Sequence, residues 1–135
     1  MHLQLRHPTI KGLAIHPDKR VEEVTLRRLE DYQGAIGGLI EPIMLKDGST
    51  MYVDDEFLSR KLDEFNSVAG DVAGLGGRPD VMLSGILGPV VIVGPLDQHG
   101  YDTDVTDLAR RWVERVRREA VLTIYSVNGS YSRIP

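Results

Sequence analysis

Apolar residues along this chain fall into short runs of two periods, one suited to strands and one to helices. Leu13-Ala14-Ile15 and Val21-Glu22-Glu23-Val24-Thr25-Leu26 flank His16-Pro17-Asp18-Lys19-Arg20. Proline pre-sets φ for a turn and Asp18 can bond its own backbone, so the pattern predicts a strand, a turn and a second strand. Leu29, Tyr32 and Ile36 then recur at helical spacing, which predicts a short helix over 27–36. Gly34 lowers its propensity, and Gly37-Gly38 offers a left-handed C-cap at little cost.

The clearest hairpin signal is Asp47-Gly48 between Leu39–Leu45 and Thr50–Val53. Read as a two-residue type I′ turn, it sets a register in which Lys46 faces Ser49, Ile43 faces Tyr52 and Glu41 faces Asp54. Pro42 has no N–H to donate, so its strand belongs at a sheet edge or a bulge. Phe57, Leu58, Leu62 and Phe65 suit a helix face, and the glycine- and alanine-rich stretch from Asn66 to Gly77 reads as a mobile loop after one or two short helices. Val81–Leu87 and Val90–Val93 lack polar alternation, which predicts a central strand covered on both faces.

From Thr106 the period returns to helical. Leu108, Ala109, Trp112, Val113, Val116 and Ala120 make one apolar stripe. Thr106 suits the N-cap, Asp107 complements the positive end of the dipole, and Glu114 stands four residues before Arg118. Val121–Val127 and Ser130–Ile134 around Asn128-Gly129 predict a second hairpin. The sum is one α+β domain over 12–135, after an N-terminal arm at 1–11. Its sheet is mixed or largely antiparallel, with two β-hairpins and two or three helices, and 121–135 is a C-terminal addition.

Composition narrows the chemistry. At 135 residues the chain is one domain in size, with 41% hydrophobic and 27% charged residues, as in folded globular proteins. A net charge of −4 argues against a nucleic-acid partner, whose footprint is normally basic. There is no cysteine, which excludes disulfides, thiolate zinc sites and catalytic thiols. No apolar run approaches the length of a membrane span, and the start of the chain lacks the apolar core of a signal peptide. A cytoplasmic protein without membrane contact is expected.

Few constellations carry chemistry. The predicted register puts Glu41 opposite Asp54, with Asp55 next in sequence. Facing carboxylates repel unless a hard cation or a shared proton relieves them. They are therefore candidates for a ligand or metal site, although a solvated strand end accounts for the same residues. Gly76-Gly77-Arg78 could form a backbone nest for an anion, with Tyr52 or Tyr101 against a ring; turns and close packing account for the same glycines. Asp97, Asp102, Asp104 and Asp107 suggest a calcium loop, but an EF-hand would need its closing glutamate where Leu108 stands. Arg110, Arg111, Arg115 and Arg118 lie on the polar face of the last helix, and Tyr125 and Tyr131 in the predicted hairpin are residues that interfaces favour. These are partner-binding candidates. The four histidines are scattered, no serine stands in a G-x-S-x-G elbow, and no P-loop or dinucleotide fingerprint is present. No catalytic residue, metal ligand set or cofactor is assigned.

The order of Gly37-Gly38-Leu39-Ile40-Glu41-Pro42-Ile43-Met44-Leu45, Asp47-Gly48, Gly77-Arg78-Pro79-Asp80-Val81 and Gly88-Pro89-Val90-Val91-Ile92-Val93-Gly94 resembles a family known only as a domain of unknown function, met in actinobacteria, their phages and other bacteria. The resemblance covers roughly residues 12–107 and implies no catalytic or binding residues. The expectation is a non-enzymatic interaction protein, such as a phage accessory factor acting on a host protein, with a homodimer through an edge strand as a further mode. A nucleotide-like ligand is the alternative, and a metal-assisted hydrolase using Glu41, Asp54 and Asp55 the second.

Overall fold

In the computed structural model, residues 8–56, 60 and 62–128 are described. Among these residues, five strands and four α-helices follow in the order β1 (Ile10–Ile15), β2 (Val21–Leu26), α1 (Leu29–Ile36), β3 (Ile40–Met44), β4 (Thr50–Asp54), α2 (Ser67–Leu75), α3 (Pro79–Ser84), β5 (Val90–Val93) and α4 (Asp107–Asn128), with a 3-10 turn at Leu62–Glu64 before α2. The strands form one sheet in the order β2-β1-β5-β4-β3, and every neighbouring pair is antiparallel. The architecture is α+β.

Sequence pattern explains where each strand sits. Val90-Val91-Ile92-Val93 is buried throughout and lies at the centre, as an unbroken apolar run should. Pro42 lies in β3, an edge strand, where a missing N–H costs nothing. β1 and β2 turn through residues 16–20, where the Asp18 carboxylate accepts from the Arg20 N–H at 2.9 Å. α1 ends as expected at Gly37, whose φ of 88° is left-handed.

The two sheet faces carry different covers. On one, Leu13, Ile15, Met51, Val53, Val90 and Ile92 pack beneath Val68, Val72, Trp112, Val113 and Val116 of α2 and α4. On the other, Ile10, Ala14, Leu26, Val91 and Val93 pack beneath Tyr32 and Ile36 of α1. Burying an aliphatic or aromatic side chain contributes about 1.5–3 kcal/mol, so the α2–α4 face holds the greater share of the apolar stabilisation.

Five expectations need correction. The β3–β4 register is shifted by one residue: Glu41 pairs with Val53, and Asp54 with Ile40. The loop is three residues long, closed by Leu45 N–H to Ser49 O at 2.8 Å and Gly48 N–H to Leu45 O at 3.0 Å, with Gly48 at φ 89°. That is a type I turn followed by a left-handed glycine, and the extra residue moves every partner to the other face. Residues 67–75 form α2, not a loop, because the Asn66 side chain accepts the Ala69 N–H as its N-cap. Residues 79–84 form α3, not a strand. Pro79 at its first turn fits a helix start, and Gly85 at φ 86° ends it. Finally, residues 121–128 continue α4 in place of the first strand of a second hairpin, because extending an established helix is cooperative. The rest of that predicted hairpin lies outside the described residues. At the other end, β1 begins at Ile10, inside the predicted arm.

Candidate functional site

Three polar clusters and two surface depressions organise the chemistry. The first cluster is built around Asp54, which is 6% exposed. Arg60 Nε donates to Asp54 Oδ2 at 2.7 Å, its Nη1 bonds Glu64, and its Nη2 donates to Ile36 O at 2.7 Å. Asp54 Oδ1 accepts the Glu56 N–H at 2.8 Å. Burial alone would lower the Arg60 pKa, but hydrogen bonds to Asp54 and Glu64 raise it. The guanidinium thus balances the carboxylate that sequence placed opposite Glu41. It also ties the end of α1 to the end of β4. Gly88 makes room: a Cβ there would lie 2.7 Å from Arg60 Nε.

The second cluster lies at the end of α2. Gly76, Gly77 and Arg78 donate their N–H groups to Val72, Gly74 and Ala73 carbonyls at 2.8, 3.1 and 2.9 Å. These amides close the helix C-terminus, so the backbone nest lacks donors pointing outward. Arg78 instead grips Asp80 in a bidentate pair at 3.0 and 2.9 Å and reaches Met44 O at 3.3 Å. Its side-chain bond holds the Asp80 carboxyl below the usual carboxylate range.

Arg78 and Glu41 do meet in one depression. A groove of about 180 Å³ runs between the β3 edge and α3, lined by Glu41, Ile43, Val53, Arg78, Val81 and Ile86 among others. Its floor is apolar and its rim charged. Beside it, Met82 packs over Gly74, where a Cβ would lie 2.6 Å from the thioether sulfur. Leu83 is 82% exposed and Phe65 51% exposed. None of the six residues of α3 is buried.

The third cluster is on the opposite face. Tyr32 and Tyr52 both donate to the Asp102 carboxylate, Tyr32 at 2.8 Å and Tyr52 at 2.9 Å. Their rings meet edge to face, with centroids 5.1 Å apart. Burial, together with the Asp102 charge, pushes both phenols well above their ordinary pKa. They form part of the lining of a cavity of about 220 Å³, shared with Ile10, Arg27, Arg28, Ile40, Tyr101 and Asp102. The Asp31 carboxylate accepts the Arg28 and Arg27 backbone N–H groups, which hold it below the usual range. Among the described residues, neither of these guanidinium groups makes an ion pair.

The remaining candidates separate. Asp55 is exposed beyond β4. In the acidic loop, Asp97 Oδ1 accepts the His99 and Tyr101 N–H groups at 2.8 and 3.0 Å, and Asp104 Oδ1 accepts the Lys11 N–H at 2.8 Å. Those carboxylates hold loop backbone, and among the described residues no cluster of three or more His, Asp or Glu is placed to hold a metal ion. On α4, Arg110 pairs with Glu23 of β2 at 2.9 Å and Arg115 with Glu119 at 3.2 Å, while Arg111 and Arg118 are exposed. Tyr125 lies on α4, and Tyr131 lies outside the described residues. Sequence reasoning missed Arg60, Arg27, Arg28 and Tyr32 as site residues, and tied Asp102 to a calcium loop. An aromatic on the inner stripe of a short helix next to two arginines was the available signal for the cavity.

Fold and surfaces together define a small α+β domain with a charged-rim groove on one sheet face and a tyrosine-lined cavity on the other. The chain belongs to the family described as a domain of unknown function (DUF3846), which matches residues 10–117. That span exceeds the resemblance read from sequence at both ends and includes the first half of α4. No curated protein and no solved structure matches the chain. Among the described residues, no helix is long and apolar enough to cross a membrane.

Proposed function

We propose that this protein is a non-enzymatic binding module that recognises a protein partner through α3 and the groove beside it. One observation carries the reading. α3 is a helix of Pro-Asp-Val-Met-Leu-Ser in which no residue is fully buried: Val81 packs half-buried against the core and Met82 lies over Gly74 of α2, while Leu83 stays exposed. A helix normally forms because its apolar side packs against something. Here Leu83 and the neighbouring Phe65 project to solvent, next to a groove floored by Ile43, Val53, Val81 and Ile86. An apolar surface rimmed by Glu41, Arg78 and Asp80 has the composition of an interface.

The partner chemistry follows: a protein segment offering an apolar side chain to the groove and polar groups to its rim. Edge-strand pairing is less supported. β3 carries Pro42 and exposed Glu41, and β2 carries exposed Glu22 and Glu23, features that blunt strand addition. The charge clusters fit a binding role too, since Asp54, Asp80 and Asp102 each have a fixed internal partner.

The test is comparative affinity retention from cells that carry the gene, using the full chain and its Leu83→Ser variant, with sedimentation of both. A partner held by the parent and lost from the variant supports the reading. Truncating an interface anchor costs about 2 kcal/mol or more, roughly thirtyfold in affinity. A second copy as occupant would appear as a dimer that Leu83→Ser dissociates. Identical retention and identical monomeric sedimentation of both proteins would overturn it.

A further inference from the structure

The cavity between α1 and the sheet is independent of the α3 surface and lies on the other sheet face. We propose that it is a binding site for a small ring-bearing anion, of the size and chemistry of a nucleoside monophosphate. The walls come from separate parts of the fold: Ile10 from β1, Tyr32 from α1, Ile40 from β3, Tyr52 from β4, and Tyr101 and Asp102 from the loop after β5. Apolar and aromatic side chains therefore meet around a space that no single element defines.

Three properties set the ligand class. The first is size. At about 220 Å³ the cavity falls below the roughly 300 Å³ at which pockets for drug-sized ligands begin, so it encloses the ring of such a ligand and leaves its anionic group outside, at the exposed Arg27 and Arg28. The second is charge. Arg27 and Arg28 line the cavity and are exposed, with guanidinium groups free of ion pairs among the described residues. Guanidinium forks match carboxylate and phosphate oxygens in bidentate geometry. The Asp31 carboxylate is turned to the backbone N–H groups at 2.8 and 2.9 Å, which leaves the two side chains to an external anion.

The third property is orientation. The Asp102 carboxylate already accepts from Tyr32 and Tyr52, but a carboxylate has about four lone-pair sites. It can take one more donor, such as a ring N–H or an exocyclic amine. The two tyrosine bonds fix that acceptor in place before any ligand arrives. A ring between aromatic walls, a donor toward Asp102 and an anionic group toward Arg27 and Arg28 satisfy the site at both ends.

The experiment uses the purified full chain and calorimetric titration with the four nucleoside monophosphates, adenosine, inorganic phosphate and benzoate, followed by amide NMR mapping. The expected result is saturable binding of at least one monophosphate, with amide shifts centred on Arg28, Tyr52 and Tyr101. Adenosine, which lacks the charged group, and phosphate, which lacks the ring, should each bind at least about tenfold more weakly. The Arg27→Gln, Arg28→Gln double variant should lose at least about tenfold in affinity at unchanged melting temperature, since both side chains are exposed. Benzoate binding tighter than every monophosphate would overturn the nucleotide assignment. No binding by any probe at millimolar concentration, or binding indifferent to the double variant, would overturn the site itself.

Discussion

The two faces of the sheet use the same central strand for different ends. Under α2 and α4, Val90 and Ile92 meet Val72, Trp112 and Val113 in an apolar layer. Under α1, Val91 and Val93 meet Tyr32, and beyond them the cover gives way to hydroxyls, a carboxylate and a cavity. The difference follows from the helices. α4 runs 22 residues and α1 only eight, so the first can seal its face and the second cannot. The lesson is that stability and recognition divide by face, with one exception. α3 lies on the sealed side, yet none of its residues is fully buried and Val81 alone is half-buried against the core.

The sharpest way to break this contrast is to damage the sealed face. Trp112→Ala should cost about 3–5 kcal/mol in urea unfolding, by lost transfer energy and the cavity left behind. A cost near 1 kcal/mol would mean that α4 is not a principal part of the core. Next comes Arg60→Ala, which strands the nearly buried Asp54 beside it. Removing one partner of a buried pair costs about 3–5 kcal/mol; because Glu64 and part of Arg60 remain accessible, about 2–3 kcal/mol is expected. Arg60→Met, which restores packing without charge, should not rescue it.

The polar face gives a pH signature. Tyr32 and Tyr52 have pKa values raised above 10.0 in the folded state by burial and Asp102. Their stabilisation is therefore complete below pH 10 and is lost as pH rises beyond it, because the unfolded chain releases those protons first. Unfolding midpoints should fall above pH 10, and the double Tyr32→Phe, Tyr52→Phe variant should flatten that fall. Smallest of all is Glu41→Gln. With Glu41 exposed and paired to Val53, its stability should change by no more than about 0.5 kcal/mol. A clear gain would indicate repulsion from a neighbouring carboxylate.

Much of the architecture was legible because it rests on local signals. The hairpin around His16-Pro17-Asp18, the glycine stop after Ile36, the central position of Val90–Val93 and the edge position of Pro42 all follow from backbone chemistry of the residues present. What escaped was set by tertiary context. Asp47 bonds Ser49 and also Thr106 at the start of α4, a link across the fold that accompanies the three-residue loop and that Asp-Gly does not announce. α2 looked like a loop because its residues are small. Ala69, Gly70 and Ala73 are nonetheless buried in the helix, and Asn66 is fully buried, with its side chain bonded to Ile15 O and Gly88 O at 3.0 and 2.9 Å. α3 looked like a strand because apolar residues in a short run fit either period. Of the site candidates, Glu41 and Arg78 do share a groove, whereas the cavity on the other face depends on residues far apart in sequence, such as Tyr32 and Asp102.

Either the exposed apolar side chains of α3 serve the fold or they face outward for something else. Urea unfolding of Leu83→Ser answers this directly. A side chain 82% exposed should leave the midpoint within about 0.5 kcal/mol of the parent. A loss of about 2 kcal/mol or more, as for a leucine taken from a core, would show that α3 is part of the sealed face and that its surface is not a docking site.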